Sequence, residues 1–266
     1  MAQGFQFVRR LRDLVFPPRC AGCGALLDFT DLHRESALCN VCEPQWLAEK
    51  EEVCGRCFCK LTECACSTEI LEHAKCKGLY KLVYYRNGVQ NYVPNRVIYQ
   101  IKNLRESRTP AFLAKELHEM LVAHEKAEAI NFTNAVLAYV PRRKRAYLQY
   151  GTDQARELAR ALSGQSGIPL AACLTRKRGN QREQKKLTPQ ERIKNARASF
   201  AVQNAELLKG KTVLLIDDIV TTGASMSVCV KLLLRAGAAE IYCVAVASDE
   251  INRMPQTSPL IKLETR

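Results

Sequence analysis

Lys211-Thr-Val-Leu-Leu-Ile-Asp-Asp-Ile-Val-Thr-Thr-Gly-Ala-Ser225 is the stretch whose reading decides the fold. The run Thr212 to Ile216 is apolar or β-branched and suits a short, buried parallel strand. Asp217 and Asp218 follow at its carboxyl end, then Thr221, Thr222, Gly223, Ala224 and Ser225, and an apolar helical pattern begins at once. A strand–loop–helix unit of this kind sets small hydroxyls and free backbone N–H groups at a helix N-terminus, which is a phosphate site. Adjacent carboxylates at a strand end suit a sugar diol or a hydrated Mg²⁺ ion. Taken singly, the same features describe a buried strand, an acidic turn and a Ser/Thr helix cap. Their order within one unit is what points to phosphate.

Downstream, a helix is expected from Ala224 to about Arg235, with Val228, Leu232 and Leu233 on the sheet and Gly237 closing it. The last strand runs from Glu240 to Ala247, and the chain beyond Asp249 is polar and loose. Upstream, residues 135–140 form a strand ended by Pro141, and Arg142-Arg143-Lys144-Arg145 follows at its carboxyl end. In isolation such a run is a solvated basic loop, but the open end of a parallel sheet is where ligands bind. Residues 152–163 read as a helix with Ala155, Leu158, Ala159 and Leu162 inward, capped by Thr152 or Asp153. Leu170 to Leu174 and Phe200 to Val202 are expected as strands. Between them, residues 176–186 carry six basic side chains, one acid and no apolar group, so they form a mobile surface loop. Thr188, Pro189 and Glu191 start another helix. Nearer the N-terminus, residues 79–85 alternate as a strand and Pro94 starts a helix reaching about Leu104. Pro110 opens another helix with Phe112, Leu113, Leu117, Leu121 and Val122 on one face.

The first 70 residues are of a different kind. Ten of the 13 cysteines lie between Cys20 and Cys76, and the chain opens with no apolar leader, so metal is expected rather than disulfides. Cys20-x-x-Cys23 and Cys39-x-x-Cys42 have a zinc spacing, with Gly22 and Gly24 available to the turns; four thiolates make a closed structural site. Cys54-x-x-Cys57 with Cys64-x-Cys66 forms a second set. Cys59 and Cys76 are spares, either of which could replace one of the last two. His33 and His73 are lone histidines of the sort that are usually exposed. Before these pairs, residues 5–16 form a short amphipathic helix that either packs on the cysteine module or lies on a membrane surface.

The apolar and charged fractions, 47% and 25%, are ordinary for a soluble globular protein, whereas the formal charge of +13 favours anionic partners. No stretch has the length of a membrane span, and the expected location is cytoplasmic.

Residues 212–225 resemble the phosphoribosyl-diphosphate (PRPP) loop of type I phosphoribosyltransferases. Together with the cysteine pairs, Val140-Pro141, Gly151-x-Asp153-Gln154, and the spacing of Gln184, Leu187, Arg192, Asn195 and Phe200, the chain resembles the ComF competence-protein family; Tyr150 and Thr152 stand where that family carries Arg and Phe. The resemblance implies an α/β parallel-sheet phosphoribosyltransferase fold behind a small zinc-ribbon module. The parts would be residues 1–70 (helix and double ribbon), 71–249 (phosphoribosyltransferase-like) and 250–266 (flexible tail). It also implies roles. Asp217 and Asp218 would contact ribose hydroxyls, directly or through Mg²⁺-bound water, and Thr221 to Ser225 would hold the 5′-phosphate. Arg142 and Arg143 would face the pyrophosphate, and a lid over 176–186, including Arg176, Arg178 and Lys185, would close the site. An acceptor-selecting hood would lie near residues 80–105. Two functions fit: a Mg²⁺-dependent phosphoribosyltransferase acting on a nitrogenous acceptor, or a non-catalytic PRPP- or nucleotide-sensing protein that meets single-stranded DNA or DNA-uptake partners. Tyr84, Tyr85, Tyr92 and Tyr99 lie near basic residues and would serve the second as stacking platforms, although their spacing also suits a core.

Overall fold

The computed structural model describes residues 17–27, 36–101, 108–142, 153–176 and 199–249. The expected helices over 5–16 and from Leu187, the run 143–145, most of the lid, His33 and the tail lie outside the described residues.

Four parallel strands make the main sheet: β1 (Leu79–Tyr85), β2 (Ala135–Tyr139), β5 (Thr212–Val220) and β6 (Glu240–Asp249), in the order β1-β6-β5-β2. The short strands β3 (Leu174–Arg176) and β4 (Phe200–Val202) pair antiparallel as a separate ribbon. Parallel neighbours require crossovers, and helices supply them. The helices are α1 (Cys42–Lys50), α2 (Glu69–His73), α3 (Val93–Gln100), α4 (Arg108–Glu128), α5 (Gln154–Ser166) and α6 (Ala224–Arg235).

Both faces of the sheet are covered, as its continuous apolar strands require. On one face Leu214, Ile216, Val244 and Val246 pack with Leu113, Leu117 and Leu121 of α4 and Leu158 and Leu162 of α5. On the other, Val213, Leu215, Cys243 and Ala245 pack with Met226, Cys229 and Leu233 of α6. The cysteine module joins the first of these cores: Leu38, Cys39, Cys42 and Trp46 are buried in the same cluster as Tyr80, Leu82, Val97 and Ile98.

Several boundaries differ from the expectations. Strand β5 extends past Ile216 to Val220, so Asp217 and Asp218 lie within a paired strand, because β6 also runs on to Asp249 and pairs through Val220↔Ser248. Helix α4 begins two residues before Pro110. On α6, Met226, Cys229 and Val230 are buried with Val228 and Leu233, while Leu232 is only half-buried. The expected strand at Leu170 is a single bridge to Leu137; residues 174–176 extend instead, where β4 offers a partner. Asp153 caps α5, accepting from the Arg156 N–H at 3.4 Å. Residues 79–85 form the expected strand, which is an outer strand of the main sheet.

Candidate functional site

The carboxyl ends of β1, β6, β5 and β2 form one edge of the parallel sheet, and the acids and the following loop lie on it. Gly223 has φ +77°, a left-handed conformation that glycine adopts without penalty, and it is the N-cap of α6. The first-turn N–H groups of such a helix project from its end with no partner inside the helix. The Ala224 N–H donates to Thr222 Oγ1 at 3.4 Å. Thr221, Thr222, Ala224 and Ser225 are exposed, and Gly223 is buried. The five residues thus form a shallow rim of hydroxyls and N–H groups.

Asp218 is 7% exposed and pairs with Arg142, Nη2 to Oδ2 at 2.6 Å. The Arg142 N–H donates to Asp153 Oδ2 at 3.0 Å, so the residue after Pro141 is held at both backbone and side chain. Burial, and then the charge of Asp218 beside it, raises the Asp217 carboxyl well above its ordinary value. Adjacent carboxylates near a strand end, one of them already paired with Arg142, are the donor type a hydrated divalent cation takes, and such a cation would return Asp217 to its charged form.

The structure therefore brings Asp217, Asp218, Arg142 and residues 221–225 to one edge. Arg176, expected in the lid, ends β3: its guanidinium lies 4.6 Å from the Phe200 ring centroid and donates to the Pro141 carbonyl at 3.4 Å. Arg143, Arg178 and Lys185 lie outside the described residues. Three residues have contacts that the sequence did not indicate, although Asp153 and Gln154 stood in a motif and Asp153 as a candidate cap. Asp153 ties the start of α5 to Arg142. Gln154 is fully buried with neither amide atom hydrogen-bonded. Thr68 donates to the Thr222 carbonyl at 3.1 Å.

The cysteines assemble as two groups of four. In each, Cys20/Cys23/Cys39/Cys42 and Cys54/Cys57/Cys64/Cys66, all Sγ atoms lie within 4.8 Å of one another. Cys23 and Cys39 Sγ are 3.7 Å apart, close to the ~3.8 Å edge of a tetrahedron with Zn–S of about 2.3 Å. The two turns share one backbone pattern: Gly24 N–H to Cys20 O at 2.8 Å, and Phe58 N–H to Cys54 O at 2.9 Å. Burial pushes the Cys39 thiol up, but the backbone N–H groups of Cys42 and Val41 outweigh it and bring it to about 7. At Cys54, N–H groups of Cys57 and Arg56 overcome burial and bring the thiol to about 6. These donor sets fit zinc. Cys59 is exposed and outside both groups, Cys76 is outside them too, and His73 bonds to the Glu69 carbonyl at 2.7 Å instead.

Charge is unevenly spread. Residues 36–73 carry three Lys/Arg against seven Glu, whereas residues 142–186 carry twelve Lys/Arg against three Asp/Glu. The cationic surplus in the sequence thus belongs to residues 142–186 rather than to residues 36–73. Of the tyrosines considered as platforms, Tyr84 and Tyr92 are buried; Tyr99 is exposed, its hydroxyl 2.6 Å from that of half-buried Tyr85.

This is an α/β parallel-sheet fold resembling the type I phosphoribosyltransferases, with two four-cysteine groups at its N-terminal side. A profile of the phosphoribosyl transferase domain matches residues 150–265. The DNA utilization protein YhgH of Salmonella typhimurium is 26% identical over 162 residues, covering 59% of this chain and 70% of the relative. Its counterpart from Salmonella typhi matches over the same shares at 26% identity. Among solved structures, the glutamine PRPP amidotransferase of B. subtilis in complex with ADP and GMP is 19% identical, with a TM-score of 0.37. That match covers 56% of this chain and 30% of the amidotransferase. An allosteric regulatory enzyme of purine biosynthesis matches at 22% identity and TM-score 0.35, over 52% of this chain and 26% of its own. Hypoxanthine phosphoribosyltransferase from Trypanosoma cruzi matches at 14% identity and TM-score 0.33, over 55% of this chain and 71% of its own. No described helix is long and apolar enough to cross a membrane.

Proposed function

We propose that the chain binds PRPP or a closely related phosphorylated ribose at residues 217–225, with Mg²⁺, and transfers ribose 5-phosphate to a nitrogenous acceptor. The observation that carries this reading is the continuity of β5: one strand delivers Asp217 and Asp218 and then the loop 221–225, with Arg142 bonded to Asp218 across the edge at 2.6 Å. In this role Thr221 to Ser225 hold the 5′-phosphate through hydroxyl and N–H donors. Asp217 and Asp218 take the ribose hydroxyls. Arg142 and Arg143 face the pyrophosphate, and a lid carrying Arg178 and Lys185, rooted at Arg176, excludes water. Mg²⁺ held by the carboxylates would supply charge neutralisation for the departing pyrophosphate. Displacement at the ribose C1 passes through a cationic centre and needs no protein nucleophile. Zinc at the two cysteine groups would hold the N-terminal module together and take no part in the transfer step.

The likeness to DNA utilization proteins favours a second reading, in which the same pocket senses PRPP or a nucleotide and the chain works with single-stranded DNA or uptake proteins without turnover. In that case DNA would meet the cationic segments of 142–186 and not the acidic ribbons. Incubation with Mg²⁺, PRPP and a panel of nitrogenous bases, followed by a pyrophosphate assay, separates the two. Base-dependent pyrophosphate release supports the enzyme, and PRPP binding without release on any base supports the sensor.

A further inference from the structure

A short run of contacts joins the second cysteine group to the loop 221–225. Cys66 is its last ligand. Two residues on, the Thr68 hydroxyl donates to the Thr222 carbonyl at 3.1 Å and accepts from the Leu71 N–H at 3.3 Å, so its rotor is fixed from both sides. Thr68 is 5% exposed and Leu71 fully buried. A Cβ placed on Gly223 would stand 2.7 Å from Thr68 Oγ1 and 2.9 Å from Leu71 Cγ, so these two side chains form the wall against which the loop's left-handed residue rests. The connection back to the cysteines is equally short. Arg56, between Cys54 and Cys57, donates to the Ser67 carbonyl at 2.5 Å and pairs with Glu72 at 2.9 Å. Lys81, 3% exposed on β1, donates to Cys64 Sγ at 3.2 Å and to the Cys66 carbonyl at 3.1 Å. Among the described residues the first cysteine group has no such link: it packs with Val93 of α3, in the core on the opposite face of the sheet from α6.

We infer that Thr68 and Leu71 are positioning residues for the phosphate loop, and that metal at Cys54, Cys57, Cys64 and Cys66 acts through them to fix the loop for an anionic ligand. The binding half of this rests on the proposed PRPP site, whereas the loop-ordering half does not. A metal whose presence orders the loop shifts phosphate affinity by the free energy of that ordering, and the coupling is reciprocal.

The test is hydrogen–deuterium exchange on the full chain, read on peptides covering 221–227, together with zinc content and calorimetric titration with Mg²⁺ and PRPP. Thr68→Val keeps the shape and removes the hydroxyl; Thr68→Ser keeps the hydroxyl. Expected for Thr68→Val is about tenfold faster exchange at 221–227, from the lost hydrogen bond, with zinc content and the peptides of α4 unchanged. Thr68→Ser returns wild-type exchange. Cys57→Ser should lower zinc and speed the same peptides, while Cys23→Ser should lower zinc and leave them as they were. Wild-type exchange in Thr68→Val, or in a Cys57→Ser protein that has lost zinc, overturns the inference. If wild type itself shows no PRPP binding, the proposed function fails, and exchange still decides whether Thr68 and the metal order the loop.

Discussion

Asp217 is a carboxylate held against its own preference. Burial and the neighbouring Asp218 charge hold its pKa well above the ordinary carboxylate value. Between the two values the folded state keeps a proton that the unfolded state has lost, so ligand-free stability falls as pH rises through that window. Asp217→Asn removes this loss. Relative to wild type it should gain stability above the unfolded value in denaturant titrations run at several pH values, while losing affinity for Mg²⁺ and PRPP. A wild-type pH profile that Asp217→Asn leaves unchanged would contradict the electrostatic assignment. Gly223 is constrained in a second way. Gly223→Ala meets both a left-handed φ of +77° and the Thr68 and Leu71 side chains inside van der Waals contact, and should cost about 2–3 kcal/mol by chemical denaturation. At this scale the sequence was informative only where neighbours in space are also neighbours in sequence. Asp217, Asp218 and Gly223 were legible because acids, glycine and helix start fall within one short run. Thr68 was not, because its partner lies 154 residues away and a lone threonine after a cysteine carries no pattern. Asp153 was legible as a cap but not as the acceptor that fixes Arg142, for the same reason of distance.

At the scale of elements, the helix α6 and the strands around it were readable from periodicity, since β5 and β6 are apolar on both faces and α6 follows a Thr-Thr-Gly turn. The end of β5 was misjudged because two acids look like the edge of a strand. The neighbouring strand β6 keeps them in register through Ile219↔Ala247 and Val220↔Ser248, a tertiary effect that no local pattern carries. Helix α1 supplies a direct probe of the metal assignment. It begins at Cys42 and holds Trp46, the sole tryptophan, 1% exposed, with its indole N–H donating to Glu116 Oε2 at 3.0 Å. A strong zinc chelator should therefore red-shift the emission of this one fluorophore, and Cys23→Ser should reproduce the shift without chelator. Unchanged emission after complete zinc removal would show that the first cysteine group holds α1 without metal.

The whole molecule joins an acidic, cysteine-rich module to a parallel sheet through one hydrophobic core. Trp46 and Leu38 of the module share a cluster with Leu214 and Val244 of the sheet. Thermal unfolding followed by Trp46 fluorescence and by far-ultraviolet circular dichroism should accordingly trace one coincident transition, whereas an independently folding ribbon would give two. The overall charge of +13 conceals an excess of acids over bases in residues 36–73, so a net value could not say which part of the chain meets an anion. The central claim is that residues 217–225 form a Mg²⁺-dependent site for a phosphorylated ribose. Calorimetric titration of the full chain with PRPP and Mg²⁺, against the Asp217→Asn/Asp218→Asn double variant, tests it most directly. Saturable, Mg²⁺-dependent binding to wild type that is lost in a folded double variant is the predicted result. Binding retained by the double variant, or absent from wild type, would contradict it.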